Sequence, residues 1–197
     1  MRGRFITLEG GEGAGKSTQA LLLEQALRDA GHTVLRTREP SGALRELLLT
    51  PGMDWSPLAE TLLHVAARAE HVAKTIAPAL AAGDWVVCDR FSDSTMAYQG
   101  YGQGMDRAVS EQLAAMIGLA PDITLVLTVS PAVGAARIAA RGVGADRYEQ
   151  LPLDFHARVA AGFAAIAAAE PRRCRVIDAN GSIEDTHHAI MAAMGLG

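Results

Sequence analysis

A glycine-rich segment near the amino terminus has the residue types and spacing of a polyphosphate-binding loop. Its sequence is EGGEGAGKST, which contains the pattern G-x-x-x-x-G-K-S. In such a loop, backbone N–H groups surround the phosphates, Lys16 reaches the outer phosphates and the Ser17 hydroxyl binds Mg²⁺. The pattern therefore predicts a nucleoside triphosphate site. Its predicted residues are Gly10, Gly11, Glu12, Gly13, Ala14, Gly15, Lys16, Ser17 and Thr18.

A second chemical cluster begins at Asp89 and Arg90, after an apolar segment. A carboxylate beside a phosphate loop can hold Mg²⁺ directly or through water, and the adjacent arginine can contact a phosphate. The alternative is a salt bridge at the end of a strand. The residues that follow offer hydroxyl and amide groups suited to a sugar and a base, or they form a solvated turn. They are Ser92, Asp93, Ser94, Thr95, Tyr98 and Gln99.

Strand-like and helix-like segments alternate along the chain. Predicted strands cover residues 4–9, 33–37, 85–89, 123–129 and 174–178. Predicted helices cover residues 16–30, 43–49, 56–82 with a kink at Pro78, 106–117, 130–141, 152–169 and a last segment after the capping box at 182–185. Residues 100–104 are predicted as a loop and 142–151 as a mobile segment. This alternation predicts an α/β fold with a five-stranded parallel sheet and helices on both faces.

Ligands of such sheets bind at the carboxyl ends of the strands. This rule selects the segments 9–17, 36–40 and 89–99, together with the loops that follow residues 129 and 178. The polar residues described above concentrate in these segments, so we expect one site at this edge of the sheet.

Composition narrows the class of protein. With 197 residues, 49% of them hydrophobic, the chain is expected to form one globular domain. A net charge of −4 argues against nucleic-acid binding. We expect no signal peptide and no membrane span, because no apolar segment is long enough. Cys88 and Cys174 lack metal-ligand spacing and are expected to be free core thiols, as is typical of a reducing cytoplasm.

Phosphate loops also serve nucleotide switches, and two motifs test that alternative. A GTPase would need an N-K-x-D motif, which the chain lacks. The D-x-x-G match at residues 178–181 lies on the last strand, far from a γ-phosphate sensor. A partition-type ATPase would carry a lysine where this chain has Gly10. The sequence therefore favours a kinase over a switch.

Five motifs, in the same order along the chain, resemble bacterial thymidylate kinases. They are the segment Glu9 to Thr18, Arg38-Glu39-Pro40, Ala66-Ala67-Arg68-Ala69-Glu70-His71, Asp89-Arg90 with Ala97-Tyr98-Gln99-Gly100, and Asp146-Arg147-Tyr148-Glu149. The resemblance implies the P-loop architecture of nucleoside monophosphate kinases over residues 1–197. It also implies Mg²⁺-dependent transfer of a phosphoryl group from ATP to dTMP, in a cytoplasmic homodimer that serves DNA precursor synthesis.

The resemblance also implies roles in binding dTMP. Glu12 matches the carboxylate that contacts the 3′-hydroxyl, and Arg45 matches the arginine on the dTMP phosphate. Arg68 matches the arginine on the thymine ring, and Tyr98 the tyrosine packed against the deoxyribose. From the residues alone, Arg45 and Arg68 could be solvated surface charges and Tyr98 a core residue.

Other positions are expected around the base and the phosphate. Thr95 and Gln99 would lie near the base, with Arg90 and Ser94 near the phosphate and the base end. His64 occupies the position where the family commonly has a phenylalanine stacked on thymine, so we expect a base contact there or a core histidine. The loop after Pro40 is several residues shorter than is usual in the family.

The catalytic charges of this family come from a lysine, Mg²⁺ and arginines. Lys16 and Arg90 are expected to act, while Ser17 and Asp89 hold the metal. The catalytic arginine of the family comes from the phosphate loop or from a lid, and the loop position here is Gly13, which carries no charge. The predicted lid, about residues 137–151, carries Arg137, Arg141 and Arg147. Arg141 is expected on the transferring phosphates, with Arg147 as the alternative.

Two rival functions remain at this point. One is another nucleoside monophosphate kinase or a deoxynucleoside kinase, because acceptor choice depends on the pocket around Arg68 and Tyr98. The other is a nucleotide-dependent switch with slow hydrolysis and no acceptor. A dimeric nucleotide-binding protein without catalysis would be expected to lose Lys16 or Asp89, and the chain has both.

Overall fold

The first strand is apolar on both faces because it lies at the centre of the sheet. The computed structural model describes residues 2–142 and 147–196. In it, strand β1 (Phe5–Glu9) is wholly buried between two parallel neighbours. Phe5 faces one hydrophobic core, whereas Ile6 and Leu8 face the other. A strand covered on both sides needs apolar residues on both, which explains its nearly continuous hydrophobic sequence.

All five strands of the sheet are parallel, in the order β2-β3-β1-β4-β5. This arrangement confirms the predicted sheet. The strands after β1 are β2 (Val34–Arg38), β3 (Trp85–Asp89), β4 (Ile123–Thr128) and β5 (Cys174–Asp178). Their bounds agree with the sequence prediction to within one residue.

Helices cover both faces of the sheet, as predicted. Helices α1 and α9 pack on the face of Ile6 and Leu8, and α4 and α8 contribute to the cores on the other face. The helices are α1 (Lys16–Asp29), α2 (Ala43–Leu49), α3 (Pro57–His71), α4 (Ala77–Ala82), α5 (Ser92–Thr95), α6 (Arg107–Ile117), α7 (Pro131–Ala140), α8 (Leu153–Ala169) and α9 (Ile183–Met194). Ser182 and Asp185 form the predicted capping box of α9.

The predicted helix over residues 56–82 is divided by a wider turn that the sequence pattern did not indicate. Helix α3 continues through a π-helical segment (Val72–Ile76) into α4, and the N–H of Ala77 bonds to the carbonyl of Val72. Pro78 lacks an N–H, and its ring excludes the carbonyl four residues earlier from the normal helical position. One extra residue in the preceding turn lets the helix continue past the proline.

The predicted loop over residues 100–104 is wrong for its first three residues. Helix α5 continues as a π-helical segment (Met96–Gly102) that packs on α8. A Cβ on Gly102 would lie 2.6 Å from the Phe155 ring, and one on Gly162 would lie 2.8 Å from the Tyr101 ring. These glycines permit close packing of two helices, and for Gly102 the sequence pattern had indicated a loop instead.

Both cysteines are buried and free, as predicted. Among the described residues, no helix is long and apolar enough to cross a membrane. Residues 143–146 of the predicted lid lie outside the described residues, and so does the Asp146 of the motif at 146–149. The carboxyl ends of β1, β3 and β4 lie side by side, which brings together the loops selected from the sequence.

Candidate functional site

A cavity of about 510 Å³ lies at the carboxyl edge of the sheet. It contains most of the site residues predicted from the sequence. From the phosphate loop, Glu12, Gly13, Ala14, Gly15, Lys16, Ser17 and Thr18 line it. From the rest of the chain, Arg45, His64, Arg68, Asp89, Arg90, Ser94, Thr95, Tyr98, Gln99 and Arg141 also line it. Gly10, Gly11 and Arg147 do not belong to the lining.

The phosphate loop is shaped by glycines and holds its lysine in place. Gly15, with φ 86°, forms the amino-terminal cap of α1 in the left-handed conformation. The ammonium of Lys16 donates to the carbonyls of Gly10 at 3.0 Å and Gly11 at 2.8 Å. Burial lowers the pKa of Lys16, and the charge of Arg90 lowers it further. A compact charge is thus fixed beside the amino terminus of α1, where the helix dipole also favours an anion.

Ser17, in the first turn of α1, and Asp89, at the end of β3, bring two oxygen ligands together. The Ser17 Oγ–H donates to Asp89 Oδ2 at 2.5 Å. No group of three or more His, Cys, Asp or Glu residues that could bind a metal occurs in the part of the chain that the structure describes. A hydroxyl with one carboxylate suits a hard cation whose other ligands are phosphate oxygens and water.

Glu12 and Arg90 join the phosphate loop to the loop after β3. Arg90 Nη2 donates to Glu12 Oε1 at 2.6 Å, and the Tyr98 hydroxyl donates to the same oxygen at 2.7 Å. Burial raises the pKa of Glu12, but the charges of Arg90 and Lys16 outweigh it and lower the pKa to about 2. The guanidinium also lies 4.9 Å from the centre of the Tyr98 ring. Glu12, Arg90 and Tyr98 therefore form one rigid unit.

Arg90 adopts a backbone conformation that is rare for a residue with a side chain. Its φ is 72°, the only positive φ found at a non-glycine position in the described ranges. The side chain also reaches the Gly10 carbonyl at 3.2 Å and the Ser94 hydroxyl at 3.3 Å. Such conformations persist where surrounding contacts hold them and are common in functional sites.

Arg68 is buried, so the alternative of a surface charge is wrong. Its Nε donates to Glu39 Oε2 at 2.7 Å, and its Nη2 donates to the Phe91 carbonyl and the Thr95 hydroxyl, both at 3.0 Å. Glu39 thus compensates the buried charge and fixes the plane of the guanidinium. Arg45 is half-buried rather than fully solvated, and it donates to the Pro40 carbonyl at 3.0 Å.

His64 lines the cavity and also takes part in a buried hydrogen-bond network. Its Nε2 lies 2.8 Å from the Tyr148 hydroxyl. Burial and the charges of nearby arginines lower the pKa of His64 to about 3, so the imidazole is neutral near pH 7. The Tyr148 ring packs edge-on against Tyr98 at 5.3 Å. An aromatic wall of three rings results.

The arginines of the predicted lid point to different places. Arg141 lines the cavity and forms an ion pair with Glu149. Arg137 donates to the Ala179 and Gly181 carbonyls, both at 2.8 Å. Arg147 instead forms an ion pair with the buried Glu60, at 2.5 Å.

Gly13 is held against α7 too closely for any side chain. A Cβ at Gly13 would lie 2.4 Å from the carbonyl oxygen of Gly134, and one at Gly134 would lie 3.0 Å from the carbonyl oxygen of Glu12. The phosphate loop therefore has no room for an arginine at this position. The contact also fixes the start of α7, which carries Arg137 and is followed directly by Arg141.

Sequence reasoning missed several residues of the site. Ser182, Ile183 and Thr186 of the α9 terminus line the cavity beside Arg137. They follow the last strand, so the rule for parallel sheets selects their loop, but their residue types carry no phosphate or base signal. Glu60 was missed because an isolated glutamate in a helix normally indicates a solvated face.

Glu9 is a buried carboxyl group beneath the phosphate loop. It accepts hydrogen bonds from the Phe91 N–H at 2.8 Å and the Ser94 hydroxyl at 2.5 Å. Burial and the nearby charge of Asp93 raise the pKa of Glu9 to about 7. The side chain thereby connects the end of β1 to α5, whose residues line the cavity.

Comparisons with known proteins agree with this geometry. The thymidylate kinase family model matches residues 8–190. A thymidylate kinase of Synechococcus sp. (strain JA-2-3B'a(2-13)) is 58% identical over 185 residues, or 90% of this chain and 87% of that protein. One from Gluconobacter oxydans (strain 621H) is 50% identical over 204 residues, or 98% and 94% of the two chains. The crystal structure of thymidylate kinase from Ehrlichia chaffeensis is similar with a TM-score of 0.80 and 36% identity, over 99% of both chains. This likeness confirms the predicted P-loop nucleoside monophosphate kinase architecture.

The raised pKa of Glu9 predicts a specific pH dependence of stability. Between pH 4.5 and about 7 the folded chain retains this proton while the unfolded chain releases it, so stability falls as pH rises through this window. Between these two pH values, the unfolding free energy of the wild type should fall by about 3 kcal/mol more than that of Glu9→Gln. Urea unfolding at several pH values measures this difference. Glu111→Gln on the exposed face of α6 should keep the wild-type slope, and an unchanged slope in Glu9→Gln would contradict the prediction.

Proposed function

The chain belongs to the thymidylate kinase family, and from this premise we propose which residues of its cavity perform the family's reaction. The enzyme phosphorylates dTMP in nucleotide biosynthesis, with ATP as the phosphoryl donor. The observation that carries the assignment of residues is that a phosphate loop and a polar pocket around Arg68 and Tyr98 share one cavity, with Arg90 between them. Two polyanions could meet there in line.

The donor side is proposed to bind ATP through the phosphate loop, from Gly10 to Thr18. Lys16 would contact the outer phosphates, and the N–H groups at the start of α1 would surround them. Arg137 and the α9 terminus, with Ser182 and Ile183, would flank the nucleoside end. The support is that these groups line the same part of the cavity and that Arg137 reaches the carbonyl of Gly13 at 3.5 Å.

Mg²⁺ is the metal we propose, with the Ser17 hydroxyl and the Asp89 carboxylate as its protein ligands or water-mediated contacts. The donor set fits, because Mg²⁺ prefers oxygen and commonly binds through one or two carboxylates and phosphates. When bound, the ion neutralises charge on the phosphates. Asp89 and Lys16 both line the cavity, so the carboxylate that would hold the ion and the ammonium that would contact the phosphates belong to the same site.

Removal of the metal should stop the reaction, and restoring Mg²⁺ should recover it. Asp89→Asn should raise the Mg²⁺ concentration for half-maximal activity by about tenfold or more, because the amide carries no charge. A Mg²⁺ titration of dTMP-dependent ADP release measures this. Asp84→Asn, at the opposite end of β3, is the matched control. Full activity in excess chelator would rule the proposal out.

The acceptor side is proposed to hold dTMP between Glu12, Arg45 and Arg68. Glu12 would accept a hydrogen bond from the sugar 3′-hydroxyl, and Tyr98, held by Glu12, would pack against the deoxyribose.

The base would lie beside Arg68, which would donate a hydrogen bond to it, with Thr95, Gln99 and His64 nearby. Arg45, Arg90 and Ser94 would lie toward the phosphate. The support is the burial and fixed orientation of Arg68 and Tyr98 in the cavity wall.

Arg141 is the arginine that we propose to act on the transferring phosphates, from a lid over residues 137–151 of a single kinase domain 1–197. Two observations support it. Gly13 has no room for a side chain, so the phosphate loop cannot supply an arginine at this position. Arg147 is paired with Glu60 and does not line the cavity, whereas Arg141 does. Arg147 would then position the lid.

Arg141→Ala should lower kcat at saturating ATP and dTMP by about 100-fold or more, because a charge that neutralises the transferred group is lost. Coupled measurement of ADP release gives this rate. Arg158→Ala, in an exposed pair with Asp154 on α8, is the control and should stay near the wild-type rate. A normal rate for Arg141→Ala, or a greater loss of kcat in Arg147→Ala, would refute the assignment.

A homodimer formed through α3 is also proposed. Leu58 and Leu62 lie one helical turn apart on its outer face, with 50% and 47% of their surfaces exposed. Helix α6 packs beside α3 and carries Met116, which is 80% exposed. Neighbouring exposed apolar side chains are typical of a surface that a partner covers, and we propose a second copy of this chain as that partner.

Leu62→Glu should convert the dimer to a monomer, because pairing would bury an uncompensated charge. Light scattering should give twice the chain mass of 20.7 kDa for the wild type and one chain mass for the variant. Leu21→Glu, at an equally exposed leucine on α1, should remain dimeric. A wild-type protein that scatters as one chain would disprove the proposal.

We propose a cytoplasmic location as well, supported by the two free, buried cysteines. Recovery of the enzyme outside the cytoplasmic fraction of fractionated cells would contradict it.

A further inference from the structure

Glu60 is a fully buried carboxylate to which the proposed reaction gives no role. It lies on α3, below the base side of the cavity. Its Oε1 accepts hydrogen bonds from Gln99 Nε2 at 2.7 Å, Tyr148 OH at 2.7 Å and Gln103 Nε2 at 3.0 Å. Its Oε2 lies 2.5 Å from Arg147 Nη1, which compensates the charge. Four side chains from two other parts of the chain therefore converge on one group.

Glu60 dictates which end of the Gln99 amide faces inward. A carboxylate only accepts hydrogen bonds, so the NH₂ of Gln99 must point toward it and the amide oxygen must point away. The same Nε2 also lies 3.3 Å from the Tyr148 hydroxyl. The amide oxygen accepts no hydrogen bond from any side chain or N–H among residues 2–142 and 147–196, and it is not sealed from solvent. Because Gln99 lines the cavity, this oxygen is the group available to a ligand.

Through its hydrogen bond with Tyr148, Glu60 also determines which ring nitrogen of His64 carries the hydrogen. Since Tyr148 donates its proton to Glu60, its oxygen acts as an acceptor toward His64 Nε2 at 2.8 Å. A neutral imidazole must then carry its hydrogen on Nε2, which leaves Nδ1 as an acceptor. Glu60 thus fixes the hydrogen-bond polarity of two side chains in the wall of the cavity.

Arg68 presents hydrogen-bond donors to the cavity, whereas Gln99 presents an acceptor. Its Nε and Nη2 are engaged by Glu39, Phe91 and Thr95. Its Nη1 donates to no group within the described ranges and is not sealed from solvent either, so it offers N–H groups to the cavity. A base bound between Arg68 and Gln99 would meet donors on one side and an acceptor on the other.

We propose that Glu60 is a positioning residue that selects a 4-oxopyrimidine over a 4-aminopyrimidine by orienting the Gln99 amide. A ring carbonyl would accept from Arg68, and the adjacent ring N–H would donate to the Gln99 oxygen. A 4-aminopyrimidine offers an amino donor and a ring nitrogen acceptor at those positions, so both pairs would be mismatched. This inference rests on the proposed contact of the base with Arg68 and Gln99.

The test is the ratio of kcat/KM for dTMP to kcat/KM for dCMP in the wild type and in Glu60→Gln. The introduced amide side chain keeps the shape of Glu60 but can donate to the Gln99 oxygen, so it permits the flipped Gln99 amide. The ratio should fall by about tenfold, because one of two polar mismatches against dCMP is relieved. The KM for ATP should be unchanged. Glu70→Gln, an exposed glutamate on the same helix, should keep the wild-type ratio.

Other outcomes separate this role from alternatives. A ratio within about twofold of wild type would overturn the proposal, and so would equal losses for both acceptors, which indicate a lid or folding role only. If Glu60→Gln does not fold, the double variant Glu60→Met with Arg147→Met removes the carboxylate together with its counter-charge, and an unchanged ratio in that variant would overturn the proposal as well. Gln99→Leu tests the premise. If Gln99→Leu leaves the ratio unchanged, the proposed base contact fails, whereas dTMP kinase activity itself is measured independently in the wild type.

Discussion

The ion pair between Glu12 and Arg90 is the contact on which the arrangement of the cavity depends. It joins the phosphate loop after β1 to the loop after β3, and Tyr98 donates to the same carboxylate oxygen. Both charges are largely withdrawn from water, so each would be costly without the other. The pair thus sets the distance between the proposed donor and acceptor sites, and distance is what an in-line phosphoryl transfer must control. The positive φ of Arg90 is consistent with a residue held there by its contacts.

Three other buried carboxyl groups also connect separate elements of the structure. Glu9 joins β1 to α5, Glu39 joins the end of β2 to Arg68 and His71, and Glu60 joins α3 to Gln99 and the lid residues. Each carboxyl group accepts hydrogen bonds from donors on other elements, and these contacts fix the elements relative to one another. The cavity wall is rigid on the acceptor side for this reason. Removing one partner would leave a buried polar group unsatisfied, so the network specifies geometry more than it adds stability.

The sequence was most informative where function depends on residues that are neighbours in the chain. The phosphate loop, the capping box and the alternation of strands and helices are local patterns, and each was predicted correctly. Arg68 and Glu60 depend instead on partners 29 and 39 residues away, so nothing near them in the sequence distinguishes them from solvated charges. The structural role of a glycine is also hard to predict from sequence, since Gly102 permits close packing of two helices where the pattern indicated a loop. The π-helical turn before Pro78 depends on how the helix accommodates the proline, which periodicity does not reveal.

The close contact of Gly13 with Gly134 bears on the proposal that the catalytic charge comes from Arg141 rather than from the phosphate loop. A side chain on the phosphate loop at this position would displace the start of α7, and with it Arg137 and Arg141. The loop and α7 are therefore alternatives as sources of an arginine, because the space that one side chain would need is filled by the backbone of the other element. With Gly13 in place, the first turn of α7 is fixed on the phosphate loop. Arg141 directly follows α7 and lines the cavity, so in the proposed reaction the charge comes from an element whose start is held on the phosphate loop itself.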